Sequence, residues 1–110
     1  MNQDITSSEE IIFHGRAAVQ LYNRVKALDE VIAEHRQRRA TYVRGVVQEV
    51  QRLRSAARET EARALFEQSL TSGDAMRADI LALLAMRRDY ATDADREAAT
   101  FQRLTAAAQA

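Results

Sequence analysis

Apolar residues recur along the chain with the three- and four-residue spacing of amphipathic helices. A first stripe consists of Ile11, Ala18, Leu21, Val25, Leu28 and Ile32. A second consists of Val43, Val46, Val50, Leu53, Ala57 and Ala64, and it reads as four residues out of phase with the first. A third consists of Met76, Ile80, Leu83, Tyr90, Ala94, Phe101 and Leu104, with Arg87 and Glu97 as charged exceptions. The pattern predicts an all-α protein.

Capping and turn residues give the expected helix boundaries. Ser7 and Glu10 have capping-box spacing, which predicts a tail at 1–7 and a helix from 8 to 70. Gly73 in "LTSGDA" predicts a turn at 71–74, followed by a return helix over 75–108. Thr92 or Asp93 has the chemistry of a new cap, so a nick near 92–95 stays open. The whole chain, 1–110, fits one helical domain.

These boundaries make the two helices unequal in length. At ~1.5 Å per residue, the outgoing helix would be about 94 Å long and the return helix about 46 Å. Either the chain breaks within 36–45 and forms a three-helix bundle, or it forms a long helical hairpin whose uncovered half pairs with another chain. The absence of proline, and of glycine between Gly15 and Gly45, favours the long helix with coiled-coil character.

An uncovered apolar stripe predicts self-association, with a homodimer as the first expectation. The residues expected to carry it, called the seam below, are Val25, Leu28, Ile32, Val43, Val46, Val50 and Leu53. The expected function is that of a non-enzymatic protein–protein interaction module that also binds an unknown protein. Small helical adaptors, export chaperones and assembly factors of bacteria or phages are often of this size, which is an analogy of fold.

Charge is balanced overall, with 16 basic and 16 acidic residues, but it is unevenly placed. Residues 35–63 carry 8 basic and 3 acidic groups, a net charge of +5. The candidate anion contacts are Arg36, Arg39, Arg44, Arg54 and Arg58. A nucleic-acid-binding regulator using the basic region 36–58 is therefore an alternative, although its arginines do not share one helical face.

Catalytic and metal chemistry find little support in the sequence. The chain has no cysteine and only two histidines, His14 and His35, which occupy apolar-stripe positions as packing residues. We therefore expect no cofactor, no metal and no catalytic residue. No signal peptide or membrane span is indicated, so the default expectation is a cytoplasmic protein without a membrane partner, with signal-independent export left open.

Two family resemblances accompany this interpretation. The segment "LYNRVKALDEVIAEHRQRRATYVRG", residues 21–45, resembles the first helix of the all-helical chorismate mutase and isochorismate-pyruvate lyase family. Matched at Ala27–Asp29, the resemblance implies that Arg39 holds a substrate carboxylate. Tyr22 and Val50 replace a family arginine and lysine, so it implies the fold without full activity. A more distant resemblance is to WXG100-type helical hairpins. The segments "VRG" (Val43–Gly45) and "YATDAD" (Tyr90–Asp95) lie at positions comparable to the two motifs of that family.

Overall fold

The chain forms two long α-helices joined by a short turn. The computed structural model describes the backbone of residues 2–110 and the side chains of residues 7–110. Helix α1 spans Asn2–Ser55 and helix α2 spans Glu59–Gln109, with no strand in this described range. The all-α hairpin prediction is confirmed. The helices follow from the absence of proline and the abundance of alanine, leucine, arginine and glutamate.

The turn lies at residues 56–58, and the prediction of a turn at 71–74 is wrong. Ala57 has a φ of 61°, in the left-handed region. The amide of Arg58 donates to the carbonyl of Leu53 at 2.9 Å, and that of Ala57 to Arg54 at 3.0 Å. These two bonds form a Schellman motif, which usually has glycine where this chain has Ala57. Gly73 instead lies inside α2, without a positive φ.

The other predicted boundaries also change. Helix α1 begins at Asn2, so the predicted tail at 1–7 is helical from Asn2 onward, and Met1 lies outside the described residues. Helix α1 ends at Ser55, not at 70, and is continuous through 36–45, as the long-helix alternative requires. Helix α2 is continuous through 92–95, where the Thr92 hydroxyl donates to the carbonyl of Arg88 at 2.9 Å. A hydroxyl bonded four residues back belongs to a helix interior, not to a cap.

Two compact units divide the chain. The turn unit comprises Glu30–Leu84 and is a helical hairpin around residues 56–58. Its buried core cluster consists of Val50, Leu53 and Ala62, with Val46 and Leu65 packed against it. This cluster lies beside the turn and holds the two helices of the unit together through burial of aliphatic side chains.

The terminal unit comprises residues 1–29 and 85–110, paired as two helical segments. Its buried positions are small, Ala18 and Ala94, so the two backbones can approach closely. Gly15 belongs to the same close approach, since a Cβ added there would lie 3.1 Å from the ring of Phe101. The aromatic ring therefore occupies the space that a side chain at residue 15 would need.

The inward face of α1 keeps one heptad register, so the predicted change of register is wrong. Positions seven residues apart are all buried or half-buried, namely Ile11, Ala18, Val25, Ile32, Arg39, Val46 and Leu53. The apparent shift arose because Arg39 interrupts the apolar pattern, whereas its position belongs to the same face. The helices have 54 and 51 residues, so unequal length no longer argues for self-association.

Candidate interaction surface

Most of the predicted seam is used for packing within the chain. Ile32, Val50 and Leu53 are buried, and Val25, Leu28 and Val46 are half-buried. Val43 is the exception, with an exposed fraction of 41%. Few of these side chains are therefore available to a partner molecule, although Val43, Val46 and Val50 border a groove between the two helices.

A groove of about 460 Å³ lies between the two helices of the turn unit. We call it the apolar groove, and define it by Val43, Val46, Val47 and Val50 of α1 with Phe66 and Leu70 of α2. Four of these side chains, Val43, Val47, Phe66 and Leu70, are between 41% and 52% exposed. The groove arises because each helix places a second pair of large apolar residues, four positions apart, beside its buried face.

Polar side chains surround the apolar groove. Arg39, Gln51 and Arg54 border it on α1, and Ser69 and Asp74 border it on α2. An apolar centre with a polar margin is the usual composition of a protein-binding surface. Isolated exposed apolar residues would need no explanation, but four around one concave surface do.

A second depression of about 510 Å³ lies further from the turn on the same unit. Three arginines border it, Arg36 and Arg39 from α1 and Arg77 from α2. Ile80, Leu81 and Leu84 form its apolar side. Arg39 borders both this basic depression and the apolar groove, so the two are neighbours along one face of the turn unit.

The remaining candidate anion contacts are placed differently. Arg54 pairs with Glu59 at 3.3 Å, and Arg58 pairs with Glu61. Arg44 is exposed and borders neither the groove nor the basic depression. Of the five candidates, only Arg36 and Arg39 border the basic depression, and the third arginine there, Arg77, lies outside the predicted basic region 36–58.

Acidic residues neutralise the arginines close to the turn. Besides the pairs of Arg54 and Arg58, Arg63 contacts Glu59 at 3.3 Å. Arg52 binds Glu49, and this hydrogen bond lowers the pKa of the Glu49 carboxyl. The basic region 36–58 is therefore locally compensated at its turn end and uncompensated around Arg36 and Arg39, within the described residues.

In the terminal unit, the charged exceptions of the third stripe bind side chains of α1. Glu97 accepts a hydrogen bond from His14, and Arg87 pairs with Asp29, which raises the pKa of Arg87. Around them, Tyr22 donates to Asp95 at 2.8 Å, and the guanidinium of Arg24 lies 5.5 Å from the ring centre of Tyr90. The hydrogen bond to Asp95 raises the pKa of the Tyr22 hydroxyl. Each of these polar contacts joins α1 to α2, so together they stabilise the packing of the terminal unit.

The described residues contain neither a metal-binding group nor a membrane-spanning helix. Across the described part of the chain, no three His, Asp or Glu side chains are grouped to hold a metal ion. His35 bonds the carbonyl of Val31 in its own helix at 2.9 Å. Neither helix, as far as it is described, has an apolar stretch long enough to cross a membrane.

Comparison of the chain with models of protein families, with curated proteins and with solved structures finds no match in any of the three. The resemblances drawn from residues 21–45 and from the two short motifs therefore stay predictions. Arg39, which the first of them singles out, donates from Nε to the backbone carbonyl of Gly73 at 3.3 Å.

Proposed function

We propose that this protein is a protein–protein interaction module, of the adaptor or assembly-factor kind, that binds through the apolar groove and associates with itself. The observation that carries the proposal is the concave cluster of Val43, Val47, Phe66 and Leu70, each 41% to 52% exposed. Covering the exposed part of each side chain would contribute roughly 1 kcal/mol. A partner that fills the groove therefore gains several such contributions at once.

The shape of the groove suits a helical partner. Two packed antiparallel helices leave a furrow between them, and an amphipathic helix can place its apolar side chains there at three- and four-residue spacing. Both helices of this chain are amphipathic, so a second copy supplies such a partner. The first partner we propose is therefore the protein itself, although its two helices, of 54 and 51 residues, are nearly equal in length.

The nucleic-acid alternative has less support from the described contacts. Binding of phosphates requires cations that are not already neutralised, and Arg52, Arg54 and Arg58 each pair with a glutamate. The four exposed side chains of the apolar groove, Val43, Val47, Phe66 and Leu70, also carry no group that binds phosphate. The chorismate-mutase-like alternative rests on Arg39 alone among the family's cations, which is fewer than an anionic dicarboxylate requires.

Sedimentation equilibrium over a wide range of protein concentrations tests the proposal. The weight-average mass should rise above the 12.4 kDa of one chain as the concentration increases, and high salt should not abolish the increase because apolar contact contributes to it. A mass that stays at one chain up to the highest concentration would remove the self-association part of the proposal.

A further inference from the structure

The basic depression holds three arginines for which no anionic partner is found among the described residues. Arg36, Arg39 and Arg77 border it, and the ion pairs of the described chain include none of them. Arg52, Arg54, Arg58 and Arg63 of the same unit are all paired. Of the five arginines of this unit without an ion pair, three therefore border one depression, and the other two, Arg38 and Arg44, are exposed elsewhere on α1.

Gathering like charges around one depression is unfavourable unless an anion joins them. Arg39 uses Nε for the carbonyl of Gly73, so its two terminal nitrogens remain as donors. Guanidinium groups bind carboxylates through paired N–H donors, and here the apolar side formed by Ile80, Leu81 and Leu84 would cover the methylenes of a glutamate. The chemistry of the depression therefore fits carboxylates on an amphipathic helix.

Helix α1 itself presents such a segment near its N-terminal end. Glu9 and Glu10 are exposed, and Ile12, Phe13 and Val19 follow them with exposed fractions of 52% to 64%. Glu9, Ile12, Phe13 and Arg16 border one shallow depression, so an acid, two large apolar groups and one base share a face. We call residues 9–19 the acidic segment. Its carboxylates are complementary in charge to the arginines of the basic depression. Its exposed apolar side chains are of the kind that would cover the apolar groove.

The two surfaces agree in length and in the order of charged and apolar groups along the helix. From residue 9 to residue 19 an α-helix rises about 15 Å, and from Arg36 to Val47 it rises about 16.5 Å. A segment whose glutamates reach the basic depression would therefore extend over Val43 and Val47 of the apolar groove. The glutamates would then contact the arginines while the apolar side chains of the segment contact the groove.

We propose that the turn unit binds the acidic segment of a second copy, with Glu9 and Glu10 held by Arg36, Arg39 and Arg77. The inference rests on the proposed self-association and specifies its geometry. Because the two surfaces in contact are different, the association is head-to-tail, and it produces a closed ring or a chain of copies. An interface made of two identical surfaces would stop at a dimer.

Charge reversal of each surface tests the inference. Arg36→Glu with Arg77→Glu makes the depression acidic, and Glu9→Arg with Glu10→Arg makes the segment basic. Each variant alone should associate about tenfold more weakly than the native chain, because like charges then face one another. An equimolar mixture should recover native association, since each altered surface finds its complement on the other variant.

Arg38→Glu provides the matched control, because Arg38 is exposed, lies about 200° around α1 from Arg36, and belongs to none of the ion pairs of the described residues. It should associate as the native chain does. Circular dichroism establishes that all variants are folded. Native-like association of both charge-reversed variants, or a mixture that fails to recover, would overturn head-to-tail binding while leaving self-association intact. A native chain that is monomeric throughout would contradict the proposed function itself.

Discussion

The Nε of Arg39 donates to the backbone carbonyl oxygen of Gly73 at 3.3 Å, which joins α1 to α2 within the turn unit. A helical carbonyl oxygen has a second lone pair, so it can accept this bond in addition to its helical one. The contact explains how an arginine is accommodated at a position of the inward heptad. The same side chain separates the apolar groove from the basic depression.

Replacing Arg39 with alanine should lower the free energy of unfolding by about 1 kcal/mol, through loss of the bond to Gly73 and of the packed side-chain stem. Arg38→Ala is the control, because it changes an exposed residue of the same type. Its effect should stay within about 0.5 kcal/mol. Urea denaturation followed by circular dichroism measures both, and equal effects would show that the bond contributes nothing.

The left-handed residue of the turn offers a stabilising substitution. Ala57→Gly should raise the free energy of unfolding by about 1 kcal/mol, because glycine adopts a positive φ without the steric penalty of a Cβ. Ala56→Gly, one residue earlier and outside the left-handed region, should lower it by roughly 0.5 to 1 kcal/mol. If the two variants shift the urea midpoint in the same direction, the turn does not lie at Ala57.

The turn could not be predicted from the sequence, because the residues that form it favour a helix. Glycine marks most Schellman motifs, whereas this one has alanine, a strong helix former, and its N-terminal neighbour is also alanine. Gly73 and Asp74 have the composition of a turn but lie in a continuous helix, where packing within the turn unit outweighs the local preference. The helical class could be predicted because propensity and period agree over long stretches.

The interaction surface was only partly predictable, because it depends on where the turn lies. Val43 was identified, but Phe66, Leu70 and Arg77 belong to α2 and face α1 only when the chain reverses at residue 57. With that turn, Arg36 and Arg77 lie 21 and 20 residues from Ala57, on either side of it. In the terminal unit, His14 and Glu97 pair at similar separations, 43 residues before and 40 residues after Ala57.

Alanine substitution should stabilise the fold at one glycine of α1 and give no such gain at the other. Gly45 is exposed and a Cβ added there meets no atom within 4 Å, so Gly45→Ala should stabilise the fold by about 0.5 to 1 kcal/mol. At Gly15 the new Cβ would lie 3.1 Å from the Phe101 ring, and overpacking should cancel or exceed that gain. Thermal unfolding of the two variants compares them directly, and an equal gain at both would contradict the close approach of residue 101.

The bond between His14 and Glu97 should contribute to stability in a way that exposed pairs do not. Their side chains are 26% and 28% exposed, so a double-mutant cycle with His14→Ala and Glu97→Ala should show a coupling of about 1 kcal/mol. The exposed pair Arg96 and Asp93 serves as the control, and its cycle should show no measurable coupling. Equal coupling in the two cycles would mean that partial burial does not strengthen the bond.

We expect the apolar groove of the turn unit to bind a second copy. Substitutions at Val46 or Val50 would test the core instead, since both pack in the buried cluster beside the turn. Val47 and Leu70 are suitable positions, because each is about half exposed and borders the groove. A control with the same chemistry combines Val31→Asp and Met86→Asp, at residues 36% and 47% exposed that do not border it.

The most direct measurement is the sedimentation-equilibrium mass of Val47→Asp with Leu70→Asp, at concentrations where the native chain associates. The variant should remain helical by circular dichroism and sediment as one chain of 12.4 kDa, because aspartate in the groove cannot be covered without an unpaired buried charge. The Val31 and Met86 control should associate as the native chain does. A folded groove variant that associates as strongly as the native chain would show that the groove does not bind a second copy.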